Sequence, residues 1–251
     1  MSFAKPKAIL LILAAALIIL SACAPAAAPT AVPAAQTITV QRTESLAWVD
    51  PLFSACVPDQ AGVGLLIQSQ PLTNLNLSAA EVTLRWDEPP APEGYGAVLG
   101  SDEVVVVMPN DNPTATISAD QLKEILSGGA RQWSELCADC SALPEGEINL
   151  YIFPSDQEAQ SILAVDLGLS APLSSFATLV PDLASMLDAV SADPNAIGIL
   201  PARALDERVK RVEITGLEQK ALNRPLLAFT TSEPQGAIRE LLSCVQQAIT
   251  P

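Results

Sequence analysis

Residues 104–107 are four consecutive valines, set in the run DEVVVVM at positions 102–108. Side chains along a strand point alternately to the two faces of a sheet, so an apolar run that does not alternate needs cover on both faces. β-Branched side chains also fit a pleated surface better than a helix, where they crowd the preceding turn. The chain must therefore build a sheet with a layer packed on each side.

The remaining pattern supplies those layers. Thr37–Gln41 reads as a short strand. Asp50-Pro51 is expected as a helix N-cap with proline in the first helical position, and Val49, Leu52, Phe53 and Cys56 then share one helical face. Gly64–Gln68 and Glu81–Trp86 are strand candidates, and Pro89, Pro90, Pro92 and Gly94 break the chain. Ser118-Ala-Asp-Gln121 is a capping box, with a Leu122, Ile125, Leu126 stripe behind it and Gly128-Gly129 to end the helix. Ile148–Phe153 is expected as a strand and a helix is expected from about Asp156. Asp182–Ser191 reads as a helix, and Ala196–Leu200, Val209–Thr215 and Leu226–Thr230 as strands. A last helix is expected from Ser232 with Gln235 at its third position. Strands alternating with helices define an α/β fold.

The N-terminus speaks of compartment. Lys5 and Lys7 precede a 13-residue apolar run, Ala8–Leu20. That is too short for a membrane span of about 20 residues and has the form of a signal peptide over residues 1–22. Leu20-Ser-Ala-Cys23 resembles the bacterial lipobox, which makes Cys23 the lipidated first residue of the mature chain. Residues 23–36 are rich in Ala and Pro and uncharged, as expected of an extended tether. An extracytoplasmic, lipid-anchored protein is the expectation.

Composition removes several function classes. The 251-residue chain has no His, which excludes Ser-His-Asp triads, Cys-His dyads and His-ligated zinc. Its net charge is −15, and removing residues 1–22, which carry two lysines and no acid, leaves −17. Duplex nucleic acid needs a cationic footprint, so it is not an expected partner. No spacing of carboxylates, lysines or cysteines suggests catalysis; no metal or cofactor is expected, and the protein is not read as an enzyme. The pair Asp102-Glu103 points to opposite faces of its strand.

Besides Cys23, four cysteines remain: Cys56, Cys137, Cys140 and Cys244. An even number in an exported chain suggests disulfides, with three possible connectivities. Cys137-Ala-Asp-Cys140 is a CxxC, open to redox chemistry or half a zinc site. Without a second CxxC or any His, a small local bridge is the better reading, which leaves Cys56 with Cys244.

The stretch Val104–Trp133 resembles the hinge-to-second-lobe segment of periplasmic phosphate-binding-type solute-binding proteins, the type II class. It runs from an apolar strand through an Asn-Pro turn (Asn110, Asn112, Pro113), a Ser118-capped helix (Leu122, Ile125) and Gly128 to Gln132-Trp133. Asn195-Ala-Ile-Gly198-Ile is similar to a second family segment. The resemblance extends over residues 37–251. It implies a two-lobed fold with a ligand cleft between the lobes: lobe 1 from residues 37–104 and 226–251, lobe 2 from residues 108–222. It also implies a monomer that takes a small-molecule ligand, an oxyanion or other small solute, and works with an ABC permease.

Mapped by position, the resemblance puts ligand at three loops: Arg42, Thr43, Glu44 and Ser45; Ser69 and Gln70; and Ser155, Asp156 and Gln157. Helix starts and hydroxyls of this kind bind oxyanions without net positive charge. Phosphate-binding members carry an Arg and a Ser-Gly-Thr run in lobe 2, whereas this chain has Ser155-Asp-Gln-Glu158. Ser155 and Glu158 are expected to form a capping box, using donors an anion would need, with carboxylates that repel phosphate. The alternative implied is an envelope sensor or interaction module on the same fold, with no transport ligand.

Overall fold

The computed structural model describes residues 35–59, 62–89, 94–137, 143–169, 173–218 and 222–250. The signal segment, Cys23, the tether up to residue 34, and Cys140 lie outside the described residues. No described helix is long and apolar enough to cross a membrane.

In lobe 1, strands β1 (Gln36–Arg42), β2 (Val63–Ser69) and β3 (Val82–Trp86) are parallel, with β1 in the middle. Strand β10 (Asn223–Thr230) lies antiparallel between β3 and β4 (Tyr95–Pro109). Strand β4 is 15 residues long and belongs to both lobes. From Tyr95 to Glu103 it pairs with β10; from Val104 on it pairs with β8 (Ala196–Pro201) and β9 (Val209–Thr215). Lobe 2 adds β6 (Asn149–Ile152) parallel to β8, β7 (Thr178–Leu179) parallel to β6, and β5 (Thr116–Ser118) parallel to β9. The valine run is thus the stretch of β4 with strands on both edges and layers on both faces, and Val104–Val107 are at most 2% exposed.

Six α-helices are present among the described residues: α1 (Asp50–Ala55), α2 (Ala119–Ser127), α3 (Trp133–Leu136), α4 (Glu158–Asp166), α5 (Leu183–Ala192) and α6 (Gly236–Ile249). Ser118 caps α2 as its sequence requires: its Oγ accepts from Gln121 N–H at 3.1 Å, and Gln121 Oε1 accepts from Ser118 N–H at 2.8 Å. The helix ends at Gly128 in the left-handed region, φ 78°, where a side chain would strain the backbone. Asp182 caps α5 through Ser185 N–H at 2.7 Å. In lobe 1, α1 packs against α6, and the Cys56–Cys244 disulfide joins them with their Cα atoms 5.6 Å apart. Cys137 is also disulfide-bonded.

Several local expectations are corrected. Asp50 does not cap α1; Val49 holds that position, and the Asp50 carboxylate turns to Arg42 instead. The last helix begins at Gly236, not at Ser232. Pro234 disfavours a helical conformation in Glu233, which pushes the helix start beyond it. The Ser155–Glu158 capping box does not form: residues 154–157 make a turn closed by Gln157 N–H to Pro154 O at 3.1 Å, and α4 starts at Glu158. The sequence reading also stopped short on β4, whose outer half, Tyr95–Ser101, carries glycines and mixed exposure in place of an apolar run.

Gly198 lies in the middle of β8, directly under α5. A Cβ there would sit 2.6 Å from Val190 Cγ2 and 2.9 Å from Met186 Sδ. The missing side chain is what lets the helix lie flush on the strand. Gly198→Ala is expected to destabilise the protein by about 1–3 kcal/mol through overpacking, measured as a lower urea midpoint at unchanged slope.

Candidate functional site

The parallel strands of lobe 1 end at one edge, where Arg42 is the last residue of β1 and is in register with Ser69, the last of β2. Across from them stand the 154–157 turn and the start of α4. The connecting hydrogen bonds draw these loops together. Leu72 N–H donates to Asp156 O at 3.0 Å, and Gln70 N–H donates to Arg42 O at 2.8 Å. Ser45 N–H donates to Gln157 Oε1 at 3.3 Å. The cleft is closed over these contacts.

At its centre is the carboxylate of Glu158, reaching from α4 into lobe 1. Its Oε2 accepts from the Thr43 hydroxyl at 3.0 Å and its Oε1 from Trp86 N–H at 3.1 Å. Because the single Thr43 proton is committed to the carboxylate, the 3.1 Å contact between Thr43 Oγ1 and Ser45 Oγ has Ser45 as donor. Thr43 and Ser45 are fully buried, and Glu158 is 3% exposed. Arg85 on β3 approaches Glu158 Oε1 at 3.6 Å, an ion pair but too long for a hydrogen bond. The hydroxyls and backbone donors that would hold an oxyanion are thus taken by the protein's own carboxylate.

Arg42, the one cation of the first loop, is equally committed. Its Nε and Nη2 grip Asp50 at 2.7 and 2.5 Å, and its Nη1 serves Glu44 Oε2 at 3.1 Å and Thr43 O at 3.2 Å. Burial works against its charge, but Asp50 and Glu44 outweigh that and hold its pKa above the ordinary value. A fork–fork pair of this kind is strong and directional, so Arg42 orders the 42–50 segment. It has little left to offer a ligand.

Of the expected site residues, the structure therefore brings together Arg42, Thr43, Glu44, Ser45 and Gln157, with Asp156 joining through its carbonyl. Ser69 and Ser155 are exposed, and their side chains make no hydrogen bond among the described residues. Gln70 contributes only its backbone. Sequence reasoning missed Arg85, the Trp86 amide, Asp50 and the inward role of Glu158. Arg85 carried a signal, as the lone cation in the strand VTLRW at the cleft end of β3. Among the described residues no group of three acids or cysteines is placed to hold a metal ion.

Burial pushes the Glu158 carboxyl up to about 7, with Arg85, the Thr43 hydroxyl and the Trp86 amide pulling it down. Asp102, in β4 beside the point where its partners change, is pushed up to about 6 by burial, opposed by the amides of Glu103 and Arg203. A carboxyl raised in the folded state contributes stability that is complete below its ordinary value and is lost as pH rises through the folded value. Stability should therefore fall between about pH 4 and 7. Glu158→Gln keeps the shape and one acceptor, its Oε1 for Trp86 N–H, while its NH2 can donate to Thr43 Oγ1, and it should flatten the upper part of that fall, leaving the Asp102 part. Glu158→Ala strands the Trp86 amide and Thr43 hydroxyl and should cost about 2–4 kcal/mol at pH 5. Denaturant titrations of the three proteins across that range are the check.

Comparison with known proteins agrees with this architecture. A family description, PBP superfamily domain, matches residues 97–239, more than half of the chain. The chain belongs to this superfamily, in its type II periplasmic binding protein class. Solved structures share the fold. One is described as a phosphate ABC transporter substrate-binding protein from Clostridium perfringens with bound phosphate: TM-score 0.69, 17% identity, covering 84% of this chain and 93% of that one. An ABC-type phosphate transport receptor from Vibrio cholerae aligns with TM-score 0.63 and 16% identity, covering 84% and 93%. The reduced form of an OxyR regulatory domain from Pseudomonas aeruginosa aligns with TM-score 0.57 and 14% identity, covering 85% and 98%. Comparison with curated protein sequences gives no match.

Proposed function

We propose that this chain is an extracytoplasmic solute-binding protein, anchored through a lipidated Cys23, that delivers a small solute to an ABC-type permease. Its lobes divide as residues 37–104 with 226–251, and 108–222, joined where β4 changes partners, and it acts as a monomer. Family membership and the fold shared with phosphate-transport binding proteins support the class. The observation that carries the reading is the meeting of strand-end loops from both lobes around buried hydroxyls, which is the geometry of a ligand-gated closure.

The same observation narrows the ligand. A multiply charged oxyanion would have to displace Glu158 and would face Asp156, Glu44 and Asp50, the last two of which already hold Arg42. Desolvating such an anion beside unneutralised acids is unfavourable. The cleft is suited to a neutral or cationic solute. A second reading draws on the same carboxylate: with its hydroxyls already satisfied, the cleft can stay closed without ligand, and the protein then works as an envelope sensor or interaction module. OxyR regulatory domains share the fold.

Thermal unfolding followed by intrinsic tryptophan fluorescence, with phosphate, sulfate, molybdate, amino acids, polyamines and sugars, separates these readings. A solute at about 100 times its dissociation constant adds roughly 2.7 kcal/mol and is easily seen. A shift with a neutral or cationic solute and none with phosphate is expected. A phosphate shift would overturn the ligand assignment, and silence across the panel would favour the sensor. Cys23→Ala should move the protein out of the membrane fraction.

A further inference from the structure

Strand β3 has two faces with opposite chemistry. Val82, Leu84 and Trp86 enter the core, whereas Thr83 and Arg85, two residues apart, share the other face. That second face has sparse cover. The chain between β2 and β3 crosses it with a single 3-10 turn, Leu72–Asn74, in place of a full helix. Beneath this crossing is a cavity of about 160 Å³, walled by Leu75, Leu77, Pro89 and Phe229, with Thr83 and Arg85 in its lining.

Asn76, which also lines this cavity, is held by Gln41 and Ser78, but two further polar atoms there are unsatisfied. The Thr83 hydroxyl is buried, on a residue 3% exposed, and has no hydrogen-bond partner. Arg85 Nε is likewise buried without one, since Glu158 stands too far off for a hydrogen bond. Buried polar atoms are nearly always partnered, so two neighbouring orphaned donors at one cavity point to a missing acceptor. A guanidinium and a hydroxyl together match a carboxylate, which accepts several hydrogen bonds in one plane. The apolar wall calls for an apolar body, and a doubly charged anion would lose too much hydration against it. The volume is close to that of a cavity that holds benzene, which sets the ligand at about six to nine heavy atoms.

We propose that this lobe 1 pocket binds a small monocarboxylate, its carboxylate on Arg85 and Thr83 and its apolar body against Leu75, Leu77 and Phe229. The site lies in one lobe and is distinct from the hydroxyl cluster around Glu158. It does not depend on delivery to an importer. Because Arg85 also faces Glu158, a carboxylate bound here shares its cation with the group that closes the cleft, which couples the pocket to closure.

Isothermal titration of the full-length protein in detergent with isovalerate, benzoate, inorganic phosphate and isoamyl alcohol tests this. Isovalerate or benzoate should bind, while phosphate and the neutral alcohol should bind at least about tenfold more weakly. Arg85→Gln should weaken carboxylate binding about tenfold or more. Thr83→Val removes an orphaned hydroxyl without changing shape, so it should raise the Tm of the free protein and yet weaken the carboxylate about threefold or more, an opposition that a purely structural residue would not show. Leu77→Trp fills the cavity from the exposed crossing and should abolish binding; should Arg85→Gln fail to fold, this variant and Thr83→Val decide. The proposal is overturned if neither carboxylate binds the wild-type protein, if isoamyl alcohol binds as well as isovalerate, or if Thr83→Val and Leu77→Trp bind as the wild type does. Failure of solute uptake in cells, by contrast, would count against the transport role and leave the pocket standing.

Discussion

Both lobes hang on one uninterrupted strand. In β4 the backbone keeps its direction from Tyr95 to Pro109, but its hydrogen-bonding partners change completely between Glu103 and Val104. On one side of that point it is held by β10, on the other by β8 and β9. Val104 N–H, at the changeover, donates to Leu222 O at 3.0 Å just before β10 begins. The strand order runs β2-β1-β3-β10-β4-β8-β6-β7, so β4 is the strand through which the two halves of the sheet are continuous. The valine run buries its inner half on both faces.

The cleft holds a carboxylate in an unusual place. Glu158 is out of water, raised in pKa by burial, and held by the Thr43 hydroxyl after β1 and the Trp86 amide of β3, with Arg85 of that same strand nearby. Removing one partner of such a network leaves the others stranded, so its value lies less in net stability than in fixing one closed arrangement. Arg42 shows the same economy on the facing loop, where two carboxylates absorb it and shape the 42–50 segment. The acidic balance of the chain thus reaches into the cleft itself.

Much of this fold was legible from periodicity. Val104–Val107, Ala196–Leu200 and the Ser118 capping box carry local signals strong enough that tertiary context only confirmed them. The failures have a common cause. Asp50 and Glu158 both stand where a helix start invites an acidic cap, and both were drawn off by a partner outside their own helix turn: Asp50 to Arg42 eight residues back, Glu158 to Thr43 and Trp86 across the cleft. A one-dimensional reading sees the local hydrogen bond available to a side chain and not the buried donor that outbids it. The outer half of β4 and the pairs β5 and β7 are short or glycine-bearing, and their strand character comes from neighbours that no local pattern shows. The loops of the candidate site were assigned by position in the resemblance, and which of their side chains meet depends on contacts far apart in sequence, such as Thr43 with Glu158.

The Cys56–Cys244 bridge spans 188 residues of separation, from the first helix to the last. Topologically, it turns almost the whole domain into a covalent ring, with β4 and every strand from β2 to β10 inside the circle. A single proteolytic nick in any loop of that circle opens the ring but releases nothing: the two pieces stay one molecule until the bridge is reduced. In an oxidising, protease-exposed compartment, such a ring lets lobe 2 be damaged and still remain in place on lobe 1, so the lifetime of the binding unit is set by the redox state of one bond in lobe 1 and not by the most exposed loop of lobe 2.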